Sequence, residues 1–63
     1  MVQRPASPPG EILVEFARNG AWLKCSAVCA ATGREATAIG PATDPAALER
    51  LAIAKLRRLL AQG

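Results

Sequence analysis

Residues 44–60 read DPAALERLAIAKLRRLL, a helix that carries its own start signal. Asp44 is placed to accept from the free N–H groups of the first turn. Pro45 takes the first helical position, where a missing N–H costs nothing. Leu48, Leu51, Ala52, Ile53, Leu56, Leu59 and Leu60 then recur at three- and four-residue intervals, with Gly63 just past the end. At about 100° per residue, Leu48, Ala52, Leu56 and Leu59 fall on one narrow stripe. Leu51 flanks it on one side, Ile53 and Leu60 on the other, and Arg50, Arg57 and Arg58 take the opposite face. So apolar a helix needs a surface to lie on.

The preceding residues supply one. From Glu11 to Arg18 the side chains alternate, with Ile12, Val14 and Phe16 on one side and Glu11, Leu13, Glu15 and Ala17 on the other. Asn19-Gly20 follows, a strong hairpin signal because both residues tolerate positive φ. Ala21 to Ala30 is the returning strand. A two-residue Asn19-Gly20 loop sets Phe16 opposite Leu23, Val14 opposite Cys25 and Ile12 opposite Ala27 on one face. On the other face it sets Ala17 opposite Trp22, Glu15 opposite Lys24 and Leu13 opposite Ser26. Ala31-Thr32-Gly33 is a second turn, with Gly33 in the left-handed position. Arg34 to Ile39 is a third, alanine-rich strand. It faces the core with Ala36 and Ala38 or, if a bulge forms at Gly33, with Thr37 and Ile39. Gly40-Pro41 ends it, and residues 40–43 lead into the helix.

The expected fold is therefore α+β: a three-stranded antiparallel β-meander with one C-terminal helix packed on one face (β-β-β-α). Residues 1–10, with Pro5, Pro8 and Pro9, have no periodicity and read as a flexible tail; residues 11–63 form the single domain. At 63 residues the domain is near the lower limit for folding alone. The formal net charge of +3 is mild and permits, without requiring, an acidic partner. No apolar run reaches the roughly 18 residues of a membrane span, and the first ten residues lack the apolar core of a signal peptide. A cytoplasmic location is expected, which suits free Cys25 and Cys29.

Chemistry finds few parts. The chain has neither histidine nor tyrosine. Cys25 and Cys29, four apart on a strand, are about 13 Å from one another, too far to bridge, and two thiols alone make a poor zinc site. No glycine-rich phosphate loop is present. No catalytic residue, metal or cofactor is expected, and the chain does not read as an enzyme.

One helix covers one sheet face, and the face bearing Phe16, Leu23 and Cys25 is the more apolar, so the helix is expected there. The other face keeps Leu13, Trp22, Val28 and, if the third strand turns its alanines inward, Ile39 among Glu15, Lys24 and Ser26. Leu13, Trp22 and Val28 are the expected self-association surface of a homodimer. The alternative is a nucleic-acid or acidic-partner contact through Arg50, Arg57 and Arg58. The element order is that of a double-stranded-RNA-binding domain without its first helix. The lysine cluster that opens the last helix of that family is replaced here by Asp44-Pro45-Ala46-Ala47, so the likeness goes no further than the fold.

Glu11-Ile12, Val14-Glu15-Phe16, Ala31-Thr32-Gly33-Arg34-Glu35, Gly40-Pro41, Leu51-Ala52 and Lys55-Leu56 together resemble a family of small uncharacterised proteins of alphaproteobacteria. The likeness spans about residues 10–61, and this chain departs from it at Ala36 and Ala38, where larger β-branched residues are expected. The resemblance implies a fold and a bacterial cytoplasm, and no activity.

Overall fold

The computed structural model describes residues 11–62. The expected tail over residues 1–10 and the helix stop at Gly63 lie outside the described residues. Three strands, β1 (Ile12–Asn19), β2 (Trp22–Cys29) and β3 (Glu35–Pro41), precede one helix, α1 (Pro45–Ala61). The strands form one antiparallel sheet in the order β1-β2-β3, with the helix on one face. This is the α+β meander-plus-helix read from the sequence.

The hairpin register differs from the expected one by two residues. Phe16 lies opposite Cys25, Val14 opposite Ala27 and Ile12 opposite Cys29, while Asn19 pairs with Trp22. The turn is therefore Gly20-Ala21, not Asn19-Gly20. A turn centred on Asn19-Gly20 needs positive φ at both residues. Here only Gly20 has it (φ 62), and among the described residues none other than glycine has positive φ. Gly20 at the first central position is the pattern of a type II′ turn, and Arg18 Nε donates to the Gly20 carbonyl at 2.9 Å across it. The two-residue shift brings Cys29 into the ladder, and Ala30, whose N–H donates to the Glu11 carbonyl at 2.9 Å; it keeps every side chain on its expected face, which a one-residue slip would have reversed. It separates Glu15 from Lys24: Glu15 stands opposite Ser26, and Lys24 between Ala17 and Ile39.

Gly33 takes the left-handed position in the second turn (φ 78), and its N–H donates to the Cys29 carbonyl at 2.8 Å. Of the two facings open for β3, the one with Ala36 and Ala38 inward is adopted; both are buried and Ile39 is exposed. The strand runs on through Gly40 to Pro41, which stands opposite Trp22. Bonded pairs alternate along an antiparallel ladder, and Ala42 N–H donates to the Ala21 carbonyl. The nitrogen of Pro41 is therefore turned to the open edge, where no ladder bond is lost.

The helix starts as read. The Asp44 carboxylate accepts from Ala47 N–H at 3.1 Å, and Pro45 occupies the first turn. Leu48, Ala52 and Leu56 are its buried side chains. They close on Leu23, Cys25, Ala27, Cys29, Ala36 and Ala38. The helix lies over β2 and β3, while Ile12 and Val14 of β1 only flank the core it covers. Two features place it there. Its link to β3 is only three residues long, which starts it at the end of that strand. Ala36, Ala38 and Gly40 are small, which lets it come close: a Cβ on Gly40 would stand 2.8 Å from Leu48 Cδ2. The small β3 residues are thus the counterpart of the large helix leucines.

Candidate interaction surface

Because the helix sits toward β3, Phe16 is not the core residue expected of it. It is 45% exposed, and Ile12 and Val14 are half-buried beside it. On the bare face of the sheet, Leu13 is 47%, Trp22 59% and Ile39 66% exposed; Leu51, on the helix, is 50% exposed. Of the expected self-association trio, Leu13 and Val28 are direct cross-strand neighbours. Trp22 is six residues from Val28 along β2, about 20 Å away, so the trio does not form one patch. Between the two ends run Glu15, Ser26 and Thr37 in one row, and Ala17, Lys24 and Ile39 in the next. At its own end Trp22 has Asn19 and Pro41 as lateral neighbours and Ile39 on the diagonal, and a shallow hollow of about 240 Å³ opens between Trp22, Lys24 and Ile39. Ile39 was within reach of sequence reasoning, since alanines turned inward on β3 turn it outward. The exposure of Phe16 was not, because it depends on which two of three strands the helix covers.

The arginines of the helix are all exposed. Arg50 and Arg57, seven residues apart, are nearly aligned on the outer face. Arg58 is turned about 100° from Arg57, toward the flank of Lys55. The three are not a single stripe. Lys55 is already engaged: its Nζ donates to the Thr37 carbonyl at 2.9 Å. On the same side of the molecule Arg34 donates to the Leu59 carbonyl at 3.1 Å.

No polar or charged side chain is buried, and no group of three or more metal-binding side chains comes together among the described residues. Cys25 and Cys29 are free and buried. Burial pushes the Cys25 thiol up, and the Glu49 carboxylate adds to the shift. Hydrogen bonding to Thr32 draws the Cys29 thiol down. No described helix is long and apolar enough to cross a membrane.

Residues 9–63 match the model of a family described as a domain of unknown function (DUF6898). The chain belongs to that family. Comparison with curated proteins and with solved structures gave no match. The family match covers all three strands and the helix, and it carries a shared sequence pattern without an activity attached.

Proposed function

We propose that this chain is a non-catalytic interaction module that self-associates, as a homodimer, through sheet surface its helix leaves bare. The observation that carries this reading is the exposure of Leu13, Phe16, Trp22 and Ile39, all large and apolar, on three short strands. Singly exposed apolar residues are ordinary on monomers. Here they come from one small sheet whose helix spans two strands of three, and a domain near the lower size limit gains most from burying them. The missing histidine and tyrosine, and the absence of buried polar side chains among the described residues, support a role without catalysis.

Two buried free thiols fit a reducing compartment, so we place the protein in a cytoplasm, and the resemblance noted above makes that cytoplasm a bacterial, alphaproteobacterial one. The test is a mass in solution by light scattering at high micromolar concentration, in low and high salt. Twice the chain mass in both is expected, since apolar association survives screening. A single-chain mass in both would refute self-association. A complex formed only with nucleic acid, lost in high salt and lost when Arg50, Arg57 and Arg58 are replaced by alanine, would favour the basic-face reading instead.

A further inference from the structure

Among the described residues the sheet has two open edges, and they are built differently. The ladder bonds Ala30 N–H to Glu11 C=O, Ala42 N–H to Ala21 C=O and Cys29 N–H to Arg34 C=O set the alternation. On β3 the odd-numbered residues turn their backbone groups outward, and this edge is guarded. Lys55 Nζ occupies the Thr37 carbonyl, and Pro41 has no N–H to offer. A lysine over the edge and a proline in it are the usual means of refusing another strand. On β1 the outward-turned residues are Ile12, Val14, Phe16 and Arg18. No described side chain hydrogen-bonds to their backbone groups, and three of their four side chains form the apolar strip beside the helix.

The flank of the helix above that strip has a pattern of its own. Lys55 marks the β3 side, so the opposite flank, with Glu49, Ile53, Arg57 and half-buried Leu60, faces β1. Leu48 stands against Gly40, and Lys55 against Thr37. Ile53, five of those seven residues along, comes level with Ala38, hence with Cys25 and Phe16. Glu49 is one turn before Ile53 and Arg57 about one turn after it. This sequence of acid, apolar residue and base becomes self-complementary when a two-fold axis passes near its middle.

We propose that a second copy of this chain pairs with the first along β1, antiparallel, with the two-fold axis at Phe16, giving a continuous six-stranded sheet with both helices on one face. This interface presupposes the self-association proposed above and assigns its surface. The register follows from Ile53 standing level with Phe16 and from charge. An axis at Glu15 would oppose two like carboxylates, whereas an axis at Phe16 sets ring against ring and Glu15 against the partner's Ala17. The same axis turns Glu49 of each helix toward Arg57 of the other, brings Phe16 and Ile53 of both copies together, and sets Val14 opposite the partner's Arg18. Trp22, at the far face of the central strand, remains outside the interface.

Sedimentation equilibrium of the full chain, from low to high micromolar concentration, tests this with two variants, Phe16→Lys and Trp22→Glu. A dimeric wild type is expected. Phe16→Lys should raise the dissociation constant at least about tenfold, while Trp22→Glu leaves it within about twofold. If Phe16→Lys loses its circular dichroism, Glu49→Arg replaces it: alone it weakens the dimer, and with Arg57→Glu added the dimer returns. A dimer unmoved by these changes but dissociated by Trp22→Glu overturns the edge interface and leaves self-association standing. A wild type of single-chain mass overturns both. A monomer that dimerises only once residues 1–10 are removed gives the β1 strip to the chain's own leading segment, and overturns the proposal too.

Discussion

Gly40 is where the sheet and the helix set each other's spacing, and replacing it by valine tests that spacing. On strand preference alone the substitution should help, because β-branched residues favour strands and glycine costs backbone entropy. The structure predicts the reverse. A Cβ at position 40 would stand 2.8 Å from Leu48 Cδ2, with Leu48 Cγ at 3.5 Å and Cδ1 at 3.7 Å. Ordinary carbon contacts are about 3.5–4.0 Å, so the methyl intrudes by roughly 1 Å. Leu48 is buried, and either it leaves its rotamer, at about 0.5–1.5 kcal/mol, or the first turn of the helix lifts. Overfilling of this kind costs about 1–3 kcal/mol, against a gain of about 0.4–1 kcal/mol from the stiffer unfolded chain. Valine adds two further methyls, so a net loss of about 2 kcal/mol is expected. In a domain of this size that lowers the melting temperature by about 8–16 °C, at 4–8 °C per kcal/mol. Urea unfolding followed by circular dichroism, on the single variant and in combination with Leu48→Ala, is the assay. The combined variant should lose at least about 0.5 kcal/mol less than the sum of the two. A Gly40→Val protein as stable as the wild type, or strict additivity with Leu48→Ala, would refute the close approach of α1 to β3.

Three further outcomes follow from single contacts. Asp44→Ala removes the acceptor of Ala47 N–H and should cost about 1 kcal/mol in thermal unfolding, with Asp44→Asn close to wild type. Lys55→Met keeps the aliphatic stem but frees the Thr37 carbonyl, so light scattering should show association beyond the dimer, at little cost in stability. Cys29, drawn down from its ordinary thiol pKa by hydrogen bonds to Thr32, should be alkylated before Cys25 when pH is raised, by mass spectrometry of iodoacetamide-treated native protein. Its lowered value also means that ionisation favours the folded state, so this contribution to stability is present at high pH and is lost as pH falls through the folded pKa.

Local signals carried the elements. Asp44-Pro45 and the leucine spacing sufficed for the helix, alternation for β1, and Gly33 for the second turn, since each depends on residues within a few positions of one another. The hairpin register was legible only to its parity. Asn19-Gly20 and Gly20-Ala21 both close a two-residue loop, and the choice between them is made by ladder pairs as far off as Ile12 and Cys29. The position of the helix was written in residues that look uninformative. Ala36, Ala38 and Gly40 seem a weak strand when read singly, and act as a close-packing surface only when Leu48, Ala52 and Leu56 are laid on them. The surface reading inherits this. Trp22 stands out in composition, whereas Phe16 becomes exposed only because α1 lies over β2 and β3.

The central claim, that the β1 edge is where two copies meet, is tested most directly by amide hydrogen exchange along that strand at low and high protein concentration. The N–H groups of Leu13, Glu15, Ala17 and Asn19 turn toward β2 and should be protected at both. Those of Val14, Phe16 and Arg18 turn outward and should gain protection only as the concentration rises and the dimer forms. Fast exchange at Val14 and Phe16 in a sample whose mass is that of two chains would contradict it.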